Sequence, residues 1–256
     1  MGLHLCYELS LPAATTRAET RAAMEQLRAR ALELPFDEVS ALVERDARAL
    51  AAPSPLRGLR FERIEDVVDV SARLVRDALY QNLLEEAERD VSGVDTDPGS
   101  IRLPITPPDD LQVAAIGFAI DPGRGSEPAS FGLVRLDGPP WNTRWWWHWC
   151  CKTQYASVVS NEHLIRCHTG LVSVLDAAAG LGCGIEVRDE AGYWSTRDET
   201  QLVANVAEMN RMVAGFAGAF TDAVRDAGGD SRVVGGAIFA HPDFERLETD
   251  PSRNKG

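Results

Sequence analysis

Residues 3–11 alternate, with Leu3, Leu5, Tyr7, Leu9 and Leu11 set against His4, Cys6, Glu8 and Ser10. That period of two predicts a strand with one face in a core. Thr15 or Thr16 then caps a helix through Leu34. If Thr16 is the cap, Glu19 supplies the acid of a capping box, and Pro35 stops the helix. The run 38–45, EVSALVER, reads as a second strand and completes a β-α-β opening. Beyond a loop rich in Ala and Pro, the stripe Ile64, Val67, Val68, Leu74, Val75, Ala78, Leu79 and Leu83 recurs at helical spacing. Arg63, Asp66, Asp69, Arg73, Arg76 and Asp77 form its solvated face.

Periodicity is lost over 91–110, where Pro, Gly, Asp and Ser dominate, and this stretch reads as a boundary or linker. Two strands follow, 113–120 and 129–136, joined by DPGRGSEP. The Gly123 and Gly125 pair leads into a strand and not a helix, which removes the amide row that a nucleotide phosphate needs. Next comes WWWHWCCKTQY, 145–155, read as one long strand. Trp145, Trp147, Trp149, Cys151, Thr153 and Tyr155 share its core face, and Trp146, His148, Cys150, Lys152 and Gln154 share the other. Ser160 or Asn161 caps a helix to about Leu181 with the stripe Leu164, Cys167, His168, Leu171, Val174, Leu175 and Ala178. GIEVRD, 184–189, is a short strand that closes a crossover unit, and a long helix covers 197–227. VVGGAIFA, 233–240, adds a final strand.

These elements predict an α+β fold with a mixed sheet: an N-terminal β-α-β unit, three central strands, a β-α-β crossover and a long C-terminal helix. The expected organisation is an N-terminal subdomain over 1–90, a linker over 91–110, a C-terminal subdomain over 111–248 and a loose tail over 249–256.

Charge and cysteine usage narrow the partners. A net charge of -13 across 256 residues argues against nucleic acid, which calls for a basic patch. No apolar run reaches membrane-spanning length, and the N-terminus lacks the basic region of a signal peptide. Five cysteines without scaffold spacing read as reduced thiols, which places the protein in the cytoplasm.

The chemistry concentrates around the tryptophan strand. His168 lies on an apolar helical stripe, and Glu190 and Asp189 follow a strand end where ligands collect in open sheets. His168 or Glu190 is the candidate proton carrier, and Lys152 the candidate holder of an anionic group. His148, Gln154, Asp189, Tyr193, Trp194, Asn210 and Arg166 complete a candidate ligand-binding set. The reading is a pocket beside the tryptophan strand for a small polar or anionic molecule, catalytic or not, with no cofactor specified. One alternative is a non-catalytic protein that meets a partner through its acidic surface. A second is a structural Cys/His metal site, for which His163 and Cys167 share a helical face. Asp95 and Asp97 lack the glycine and distal Glu of a calcium loop.

Overall fold

The computed structural model describes the backbone of residues 3–46, 64–92, 112–137 and 143–226, and side chains over 3–46, 64–81, 113–136 and 143–215. In chain order the elements are β1 (Leu5–Leu11), α1 (Arg17–Leu32), β2 (Glu38–Val39), β3 (Val43–Asp46), α2 (Glu65–Ser92), β4 (Gln112–Asp121), β5 (Ala129–Asp137), β6 (Trp145–Cys151), α3 (Asn161–Gly180), β7 (Gly184–Asp189), α4 (Tyr193–Thr196) and α5 (Glu199–Asp226). A 3-10 turn, Gln154–Val158, joins β6 to α3. The predicted linker over 91–110 falls mostly outside the described residues, and the strand at 233–240 and the tail fall entirely outside them.

The fold is α+β. The seven strands of the described residues join one sheet in the order β2-β4-β5-β6-β1-β7, with β3 beside β2 on the same edge of β4. Every ladder is antiparallel, so the sheet differs from the mixed one expected. The two crossover units explain the difference. β6 and β7 both run antiparallel to β1 and therefore point the same way, but β1 lies between them. β1 and β3 likewise run in one direction, with β6, β5 and β4 between them. Each helical crossover thus returns the chain in the parallel sense, and an inserted strand takes the hydrogen bonds.

Thr16 forms the capping box: its hydroxyl accepts from the Glu19 N–H while the Glu19 carboxylate accepts from the Thr16 N–H. Neighbouring residues of β3 show which helix covers which face, since successive side chains of a strand point oppositely. Glu44 meets Arg17 and Arg21 of α1, whereas Arg45 meets Asp69 of α2 at 2.7 Å. α1 and α3 pack on one side with the core face of β1, where Leu5, Tyr7 and Leu9 join Met24, Leu27, Leu171 and Leu175. α2 packs on the other through Val67, Val68, Ala72 and Val75. Close approach there uses Gly117, where a Cβ would lie 3.2 Å from Val68 and 2.7 Å from the Phe131 carbonyl.

Three local expectations change. EVSALVER is two short strands, because Ser40 turns inward: its N–H donates to the Ala119 carbonyl, and its hydroxyl accepts from the Ala119 N–H. The tryptophan strand ends at Cys151 and not at Tyr155. There the Lys152 N–H is taken by the Glu127 carboxylate, and Ala156 N–H closes a turn onto Thr153 O. Gln154 therefore leaves the face that it was expected to share with His148. Finally, Cys6 and Cys150 sit directly opposite in the β1–β6 register and form a disulfide. The expectation of five reduced thiols is corrected: Cys151, Cys167 and Cys183 are free and buried.

Candidate functional site

The sequence-predicted residues divide among several places, and the sheet separates the main ones. The first is a buried relay. Thr153 follows the end of β6, His168 lies on the inward stripe of α3, and Asp189 ends β7. Thr153 Oγ1 is 2.8 Å from His168 Nδ1, and His168 Nε2 is 3.1 Å from Asp189 Oδ2. Asp189 also accepts the backbone N–H groups of Ala191 and Trp194, at 2.9 and 2.8 Å. Tyr193 presents its ring edge-on to the imidazole at 6.0 Å. His168, Asp189, Tyr193 and Trp194 thus come together.

Hydroxyl, imidazole and carboxylate in a row make a proton-transfer set by composition. Access decides against that use: Thr153 is 4% exposed, and the His168 and Asp189 side chains 2% and 1%. Burial pushes the Asp189 carboxyl up, but the His168 hydrogen bond and charge and the two backbone donors outweigh it, leaving the group below its ordinary value. The relay ties the end of β6 to α3 and β7.

The other predicted residues have separate partners. Gln154 donates to Asn210 Oδ1 at 3.4 Å and accepts from the Leu3 N–H. Asn210 donates to Ser157 Oγ at 2.9 Å, so this chain of buried amides joins the 3-10 turn to α5. Glu190 turns outward to accept from the His4 N–H at 3.0 Å and to pair with Arg188. Lys152 lies 3.9 Å from Glu127. Arg166 reaches Asp37 at 3.3 Å and donates to Pro35 O. His163 Nε2 lies 3.6 Å from Cys167 Sγ. Among the described residues, no three His, Cys, Asp or Glu side chains converge as a set that could hold a metal ion.

His148 belongs to a different site, on the α2 side of the sheet. Trp146, His148 and Cys150 share one face of β6 and oppose Ser10, Glu8 and Cys6 of β1. Glu8 organises this face: it accepts the Trp146 indole N–H at 3.0 Å and lies 3.6 Å from His148 Nδ1. The imidazole stacks on Trp146 with centroids 6.2 Å apart, and its Nε2 lies 3.6 Å from Cys150 Sγ.

Between this face and α2 is a cavity of about 280 Å³, lined by Leu74, Val75, Ala78, Trp146, His148, Trp149 and Cys150. Its walls are apolar except at His148 and the sulfur. Sequence reading placed Trp146 and Cys150 on one face with His148 but missed Glu8 and Cys6. The available signal was the match of two alternations, Cys6-Glu8-Ser10 against Trp146-His148-Cys150, which only antiparallel pairing of β1 with β6 converts into one surface.

Among the described residues no helix is long and apolar enough to cross a membrane. No family model, curated protein or solved structure matches the chain.

Proposed function

We propose that the protein binds a small, largely apolar, ring-bearing molecule in the cavity between β6 and α2. The observation that carries this reading is the cavity itself: about 280 Å³ walled by two indoles and the aliphatic side of α2, with His148 as the single imidazole. Ligand sites combine apolar walls with a few placed polar groups in this manner, at volumes from roughly 300 Å³ upward. Aromatic walls favour a flat ring by offset or edge contact. His148, held by Glu8, supplies one hydrogen bond that fixes the ligand's orientation.

This reading keeps the expected pocket beside the tryptophan strand but changes its ligand from polar or anionic to mainly apolar. Lys152 pairs with Glu127 and does not line the cavity. The test is a panel of single- and fused-ring aromatic fragments followed by tryptophan fluorescence. Ala78→Trp fills the cavity from α2 and is expected to abolish binding, while Lys152→Met leaves it unchanged. Equal binding in wild type and Ala78→Trp contradicts the proposal. Leu74, 58% exposed at the cavity rim, supports a second reading in which an apolar side chain of a partner protein is the occupant. A partner that competes with the fragments distinguishes the two.

A further inference from the structure

Ligand binding does not account for the disulfide that lies beside His148. Cys150 is half-buried and lines the cavity, and Cys6 faces it across the β1–β6 ladder. Beyond Cys6, the register places Arg188 of β7, whose side chain is 80% exposed, so this end of the sheet is open to water. His148 Nε2 approaches the Cys150 sulfur at 3.6 Å, while its Nδ1 faces the Glu8 carboxylate at 3.6 Å. A thiol, an imidazole and a carboxylate in that order are the parts of an activated sulfur nucleophile. The three free cysteines have no such access, since Cys151, Cys167 and Cys183 are all buried.

We propose that the Cys6–Cys150 bridge is a thiol-exchange site whose reduced form carries a Cys150–His148–Glu8 nucleophile facing the cavity. The co-reactant is a dithiol. One of its thiolates attacks Cys6 Sγ, forming a mixed disulfide and breaking the Cys6–Cys150 bond. The electron pair leaves on Cys150 Sγ, where a hydrogen bond from His148 Nε2–H stabilises the departing thiolate. The second thiolate of the dithiol then attacks the dithiol's own sulfur in the mixed disulfide. That step closes the oxidised dithiol and frees Cys6, which takes a proton from water. Two electrons pass from the dithiol to the bridge, and a good leaving thiol at Cys150 speeds the first step. The inference stands apart from ligand binding, because thiol exchange needs the bridge and His148 and not an occupied cavity.

The test treats the whole chain with dithiothreitol under native conditions, traps thiols with iodoacetamide and reads each cysteine by peptide mass spectrometry. The expected result is alkylation of Cys6 and Cys150 together, with Cys151, Cys167 and Cys183 unlabelled and the circular dichroism spectrum retained. In the reduced state His148→Gln is expected to slow alkylation of Cys150 about ten-fold while leaving Cys6 unaffected. Cys6→Ser frees Cys150 without any reductant, so its labelling rate tests the nucleophile separately from the bridge. Three results would each overturn the proposal: a bridge that resists dithiothreitol until the protein unfolds, an unchanged Cys150 rate in His148→Gln, or a folded Cys6→Ser protein whose Cys150 reacts no faster than Cys183.

Discussion

Asp189 is the residue on which the buried relay depends. Its carboxylate receives His168, Ala191 and Trp194 at once, and its side chain is 1% exposed. His168→Ala removes the side-chain hydrogen-bond partner and leaves the carboxylate buried, so a loss of about 1–3 kcal/mol in urea unfolding is expected. Glu190→Gln, one residue on but turned to water, is expected to cost under about 1 kcal/mol. The acid limb of stability has a definite sign. Because the folded Asp189 pKa lies below the ordinary 3.8, its contribution is complete above that value and is lost as pH falls through the lower folded value. The urea midpoint of Asp189→Asn should therefore fall less steeply than wild type below pH 3.8. A parallel fall in both proteins would show that the relay does not couple to protons.

Among the elements, β6 sets the geometry of both faces. Trp145 and Trp147 are fully buried, and Trp147 donates its indole N–H to the Ser130 carbonyl at 2.8 Å. The indole ring lies over Gly132, where a Cβ would come within 2.8 Å of it and 3.0 Å of the Ile116 carbonyl. Neither neighbour can yield cheaply, because one is a locked ring and the other is backbone in a central ladder. Gly132→Ala should lower stability by about 1–3 kcal/mol in thermal or urea unfolding, whereas Gly180→Ala, with open space around it, should not. The alternation of β6 was legible in the sequence, and so was the burial of Trp145, Trp147 and Cys151. Its end was not, because the side chain that takes the Lys152 N–H belongs to Glu127, on the loop between β4 and β5. That distant contact carried Gln154 away from His148 and brought Thr153 to His168.

At the scale of the whole molecule, the sheet order explains what the sequence could and could not reveal. The helix caps, the stripes of α2, α3 and α5 and the alternation of β1 are local patterns, and each predicted its element. Insertion of β1 between β6 and β7 is a long-range choice, and no periodicity within 3–11 or 145–151 encodes it. Both the disulfide and the cavity face depend on that insertion, which is why five reduced thiols and a single pocket holding His148 together with His168 were expected. The bridge closes a sequence separation of 144 residues. Cys6→Ser/Cys150→Ser should accordingly unfold at a urea midpoint lower by the equivalent of about 2–5 kcal/mol, with the native circular dichroism spectrum unchanged.

The ligand cavity beside β6 is the central claim, and the six tryptophans allow a direct test by NMR of their indole N–H groups. Titration with the aromatic fragments is predicted to move the signals of Trp146 and Trp149, which line the cavity, and to leave Trp145 and Trp147 in place. Signals of Trp146 and Trp149 that stay fixed at saturating fragment would contradict the account.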